Sequence, residues 1–227
     1  MTDGDATPVT AQTPAPLPEP AQVRAASLLT TLGVGGAVAG LRLVIAYGLT
    51  LPRIEANRAR ALDLAVKEVL KAPERYDTLY VVGKTLAQKP PEGADPKKLE
   101  QVYLGYGPGS ETIGFAIVAG EAGFQDVIQL IFGYDPKTRQ LLGMKVLESK
   151  ETPGLGDKIE KDQAFVGQFR GAQPPLVGVK KGKRATPREV DMITGATISS
   201  KAVIRIINKT LERLAPVVDA YPQEGKR

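Results

Sequence analysis

The chain has 227 residues, 42% of them hydrophobic, and a formal charge of +5, which is enough for one domain of ordinary size with a packed core. It contains no Cys and no His, which excludes Cys/His metal sites, iron–sulfur ligation by this chain, thiol nucleophiles and histidine acid–base chemistry. Aromatics are 5% of the residues and no dense Lys/Arg run is interleaved with them. A nucleic-acid partner is therefore not expected, and any redox work needs a borrowed cofactor.

Residues 1–23 are rich in Pro, Ala and Thr and read as a disordered tail. From Leu28 to Leu51 the chain is nearly all apolar, with Arg42 its only charge. A helix of this length reaches about 36 Å, enough to span a bilayer. The acidic, long leader and the length of the apolar run argue against a cleaved signal peptide, and the Gly-rich, uniformly apolar pattern argues against a buried core helix. Residues 24–51 are thus expected to be a retained membrane anchor. Gly36 and Gly40 stand four apart, spacing that lets a second helix pack closely. Arg42 either meets a polar group on a partner or marks the end of a span beginning at Arg24.

Residues 54–71 read as an amphipathic helix with Leu62, Ala65, Val66, Val69 and Leu70 on one face. Strands are expected at 77–82, 101–105, 113–119, 126–133 and 140–147, the last two joined at the turn signal Tyr134-Asp135-Pro136-Lys137-Thr138. Lys89 to Pro96 reads as a turn-rich loop. A helix fits 158–169, a short strand 176–180, and a basic loop runs on through Arg188. Strands in runs with helices at the ends imply an α+β domain with a largely antiparallel sheet and flanking helices.

Two segments carry the chemistry. The first is Asp191-Met192-Ile193-Thr194-Gly195-Ala196-Thr197-Ile198-Ser199-Ser200-Lys201, followed by apolar residues at Val203, Ile206, Ile207, Leu211 and Leu214 in helical spacing. Thr197 or Ser199 is a natural N-cap. Gly195 and Ala196 leave little side-chain bulk before the helix, and its positive end favours a phosphate. Read without further context, this is an ordinary helix start. The second segment is Glu148-Ser149-Lys150-Glu151-Thr152-Pro153-Gly154-Leu155-Gly156-Asp157-Lys158-Ile159. By itself it is a tight connector between a strand and a helix. Glu148, Glu151 and Asp157 lie close in sequence, but the chain has no Trp to form a sugar platform, so a glycosidase is discounted.

Together the two segments resemble the FMN-binding domain shared by the G subunit of the Rnf ferredoxin:NAD oxidoreductase and the C subunit of the sodium-pumping NADH:quinone reductase, and the second segment is closer to the Rnf member. The resemblance implies FMN held covalently by a phosphoester to Thr197, with Thr194, Gly195, Ala196, Ser199 and Ser200 around the attachment point. It brings Glu151, Thr152, Leu155 and Gly156 towards the flavin. It implies residues 52–215 as the FMN-binding domain, with 216–227 a C-terminal tail. The function implied is that of a membrane-anchored electron-transfer subunit of an ion-translocating complex, matured by a flavin transferase and partnered by membrane, iron–sulfur and flavin subunits. A quinone-reductase subunit or other flavinylated membrane protein is the alternative within the class. A non-redox, anchored module for a phosphate-bearing ligand is the alternative outside it. Arg53, Arg58 and Arg60 follow the anchor and only Arg24 precedes it, so charge bias directs the domain to the cytoplasm. The resemblance instead implies the periplasmic side of the inner membrane.

Overall fold

A computed structural model describes residues 25–222. The expected tail over 1–23, Arg24 and the last part of the expected C-terminal tail, 223–227, lie outside the described residues. Helix α1, Ala25–Val69, is continuous and contains Pro52. Its apolar part is long and apolar enough to cross a membrane by length and composition. The separate helix expected over 54–71 is the C-terminal part of this same element. The chain divides into two units at Ile54/Glu55.

The second unit is built on a six-stranded sheet of order β2-β1-β3-β4-β5-β6. The strands are β1 (Arg75–Val82), β2 (Thr85–Ala87), β3 (Gln101–Tyr106), β4 (Thr112–Ala122), β5 (Val127–Asp135) and β6 (Gln140–Glu148). Every pairing in it is antiparallel, as the run of strands implied. Strand periodicity sorts side chains onto two faces. Val102, Leu104, Phe115, Ile117, Leu130 and Phe132 join one core with helix α4 (Thr197–Asp219). Tyr103, Ala116 and Ile131 join Ala65, Val66, Val69 and Leu70 of α1 in another. Glycine permits that second contact, because a Cβ on Gly133 would lie 2.6 Å from the Val69 carbonyl oxygen.

Three details differ from the expectation. The helix anticipated over 158–169 is two pieces, α2 (Lys158–Lys161) and α3 (Gln163–Gly167). Asp162 takes an extended backbone conformation between them, and its side chain accepts from Ala164 N at 2.9 Å and Phe165 N at 3.3 Å. An N-cap thus restarts the helix one residue after the break. A second small sheet pairs β7 (Val177–Val179) in parallel with β8 (Glu189–Asp191), which closes the basic loop. Finally, α4 continues past Pro216 to Asp219 with Val217 and Val218 buried, so residues 216–219 belong to the folded domain.

Candidate functional site: the start of helix α4

The amphipathic α4 buries Ala202, Val203, Ile206, Ile207, Leu211 and Leu214 against the sheet, which fixes where its N-terminus lies. The approach to that end is a tight turn. Ala196 N donates to Ile193 O at 3.0 Å, and Gly195 has φ +84°, a conformation that glycine adopts without strain. Ser200 locks the turn: its Oγ accepts from Ile193 N at 3.1 Å and donates to Ala196 O at 2.9 Å.

The second segment is bound to this turn through a buried carboxylate. Glu151 is 5% exposed; its Oε2 accepts from Ser199 Oγ at 2.6 Å, and its Oε1 accepts from Phe124 N at 2.8 Å and Gln125 N at 3.1 Å. Glu151 therefore ties three segments together: the β4–β5 turn, its own loop and the first turn of α4. Burial by itself would raise its pKa. The hydrogen bonds from Ser199 and from the Gln125, Phe124 and Asp126 amides outweigh burial and hold it below the ordinary carboxylate value. Packing leaves no slack around it, because a Cβ on Gly156 would lie 2.8 Å from Glu151 Oε2 and 3.1 Å from Ser199 Oγ.

The remaining segment residues have distinct positions. Thr152 Oγ1 donates to Gln125 Oε1 at 3.2 Å, while its carbonyl accepts from Leu155 N and Gly156 N at 3.1 and 2.9 Å. Leu155 reaches across to the other segment, its Cδ2 3.6 Å from where a Gly195 Cβ would stand. Thr194, Gly195 and Thr197 are exposed, whereas Ala196 among them is buried. Asp191 turns away: its Oδ1 accepts from Lys183 N and Arg184 N, both at 3.1 Å.

The donor chemistry at this point fits a nucleotide phosphate. Ser199 and Ser200 are buried and spend their hydroxyls within the protein, whereas Thr197 is exposed at the first position of α4. Ala196 contributes no side-chain cap, so first-turn N–H groups stay available to an anion. The surroundings fit an aromatic ring system. Phe124, Leu155 and Ile198 are 64%, 49% and 54% exposed, one on each of the three segments that Glu151 joins. Phe124 and Gln125 were not singled out in the sequence. The signal available was Gly123 between two strand patterns, where a Cβ would collide with Glu151 Oε1 and lie 2.6 Å from Ile128 Cδ1.

These features define the class: residues 123–212 match the FMN-binding domain family, and both segments fall inside the match. The fold agrees, since the crystal structure of Shewanella oneidensis NqrC superposes with TM-score 0.60 at 16% identity, covering 73% of this chain and all of that one. The C subunit of the Na(+)-translocating NADH-quinone reductase from Parabacteroides distasonis superposes with TM-score 0.58 at 17% identity, covering 75% of this chain and 98% of that one.

Sequence relatives narrow the class to a family. The G subunit of the Na(+)-translocating ferredoxin:NAD(+) oxidoreductase complex of Acetobacterium woodii is 32% identical over 187 residues, 80% of this chain and 87% of that protein. The G subunit of the ion-translocating oxidoreductase complex of Methanosarcina acetivorans is 29% identical over 185 residues, 82% of this chain and 92% of that protein. The chain belongs to the family of G subunits of the ion-translocating Rnf oxidoreductase complexes.

Proposed function

We propose that this protein is the membrane-anchored electron-transfer subunit of an ion-translocating ferredoxin:NAD oxidoreductase complex, and that it carries FMN on Thr197 through a phosphoester. The observation that carries this reading is the division of hydroxyls at the start of α4. Two serines are consumed by internal bonds, and the Thr197 hydroxyl stands exposed beside uncapped backbone N–H groups. A phosphate there gains from the helix dipole. Lys201 lies one helical turn beyond Thr197 on the same face and is exposed, so its ammonium reaches the same region.

In this reading the bound flavin supplies the redox chemistry, and the chain supplies attachment and surroundings. Gly195, with its positive φ, keeps side-chain bulk away from the attachment point, and Thr194 and Ala196 flank it. Leu155, Phe124 and Ile198 offer apolar surface to the ring. Thr152 lies at the edge of this surface, within hydrogen-bonding reach of Gln125. Glu151 has both oxygens engaged by protein donors. It acts as a positioning residue, holding Ser199 and the loop in register, and Gly156 gives it room.

Attachment by a dedicated flavin transferase and a domain on the periplasmic face complete the proposal. Mass spectrometry of protein made with the transferase should show one FMN adduct on the peptide containing Thr197, and protein made without it should be colourless. An unmodified peptide from natively produced protein overturns the site. Alkaline phosphatase fused after Asp219 should be active in cells; an inactive fusion of normal abundance places the domain in the cytoplasm instead.

A further inference from the structure

The loop between β7 and β8 carries Lys180, Lys181, Lys183, Arg184 and Arg188, and residues 181–188 are all exposed. Two carboxylates stand beside it, yet both are spent on backbone. Asp191 Oδ1 accepts from Lys183 N and Arg184 N, both at 3.1 Å; Glu189 Oε2 accepts from Ala185 N at 2.6 Å and Thr186 N at 3.0 Å. The acids therefore shape the loop, and five cations against these two carboxylates leave it net positive. Among the described residues none of its five cations forms an ion pair, while on α4 Arg205 and Lys209 pair with Glu121 and Arg213 pairs with Glu100.

A cleft of about 200 Å³ opens beside this crest. Lys181 and Arg184 stand on its wall and Phe165, Met192 and Ile193 supply apolar surface. The acids that also line it, Asp162 and Asp191, are engaged by the Ala164, Phe165, Lys183 and Arg184 amides. The cleft touches the cofactor turn directly, because Ile193 N is bonded to Ser200 Oγ and Ala196 N to Ile193 O.

We propose that the crest and cleft are the docking site for an acidic segment of another protein subunit, which inserts an apolar side chain between Lys181 and Arg184 and pairs its carboxylates with them. The inference rests on the reading of this chain as one subunit of a complex, and it does not depend on how FMN is attached. A recessed cleft of side-chain size beside exposed cations suits a peptide, whereas a lipid surface would meet a flat basic face. Arginine beside an apolar pocket that a partner desolvates is a common binding hot spot, and a net positive crest steers an oppositely charged partner. Docking there brings the partner against the turn that leads to Thr197.

Amine footprinting of the full-length chain tests this, comparing the detergent-solubilised chain alone with the same chain inside the purified complex. Labelling of Lys181 and Lys183 should fall about fivefold in the complex, while Lys137 on the β5–β6 hairpin labels equally in both states. A carbodiimide should then link Lys181 or Lys183 to an Asp or Glu of another subunit. The K181E/R184E variant, with melting temperature within about 2 °C of the parent as for other exposed substitutions, should lose that link and slow flavin reduction in the complex. A T197A chain should keep the footprint, which separates this proposal from the flavin site. Equal labelling of Lys181 and Lys183 in both states overturns the proposal. So does equal protection by phosphatidylglycerol vesicles in the absence of other subunits, which identifies a lipid surface as the occupant.

Discussion

The two ends of helix α4 are built on different principles. At its C-terminal half the helix borders a groove of about 740 Å³ lined by Tyr134, Arg139, Pro174, Pro175, Asn208, Leu211 and Asp219. Its N-terminal end lies outside that groove. It presents Thr197 in the open, with Phe124, Leu155 and Ile198 about half or more exposed on the segments around it. Yet both sequence motifs point to the open end. The usual rule that a ligand occupies the largest apolar pocket holds for ligands that must be retained by contacts. If FMN is tethered as proposed, its bond retains it, so the protein need not surround it, and an exposed ring stays reachable by electron donors and acceptors.

Substitutions at the two ends should separate these roles. Thr197→Ala should abolish covalent flavin completely, read as loss of in-gel fluorescence after denaturation, and should leave melting nearly unchanged because the side chain is exposed. Thr197→Ser should keep part of the label. Label surviving in the Ala variant rejects the assignment. At the far end, Leu211→Ala removes a side chain that is 5% exposed and should cost about 2–5 kcal/mol of folding stability. Flavin attachment per folded molecule should not change. A denaturant titration paired with the fluorescence assay checks both statements.

Glu151 tests whether the open end needs its internal clamp. Glu151→Ala leaves the Ser199 hydroxyl and the Phe124 and Gln125 amides without their acceptor, at a cost of about 1–3 kcal/mol for the buried Ser199 hydroxyl and less for the part-buried amides, and should lower flavin loading. The pH dependence has a definite sign. The carboxyl is held below its ordinary pKa in the folded state, so its stabilisation is fully present above the unfolded value of about 4.3 and is lost as pH falls through the folded pKa. The stability gap between the parent and Glu151→Gln should therefore close on acidification. A gap that persists unchanged well below about pH 4 means the charge is not what the clamp uses.

What the sequence made legible was local. Alternating apolar residues such as Val102 and Leu104 against Tyr103 gave the strands their faces, and Val203, Ile206, Ile207 and Leu211 gave α4 its buried stripe. What stayed hidden depended on contacts between distant segments. The break at Asp162 looks like continued helix until the side chain is seen to cap the next turn. The parallel pairing of β7 and β8 depends on where the basic loop between them returns. The bond from Ser199 to Glu151 joins positions 48 residues apart. The two segments proposed to hold the cofactor were readable as separate motifs, and that Glu151 and Leu155 join them was not.

The smallest expected effect is also the one that sharpens the contrast between the two ends of α4. Leu155 and Phe124 are exposed enough that truncation to Ala should change folding stability by about 0.5 kcal/mol or less. If they face the flavin ring, however, losing either should expose the ring to water. Iodide quenching of flavin fluorescence in the fully loaded protein should then rise, while the covalent label stays intact. Leu155→Ala should have the larger effect, because Leu155 also lies against Gly195, with Cδ2 3.6 Å from that residue's Cβ position. Leu155→Met retains flexible apolar surface and should restore most of the protection. Unchanged quenching in both Ala variants would mean that the ring lies elsewhere and that these residues are ordinary exposed hydrophobics.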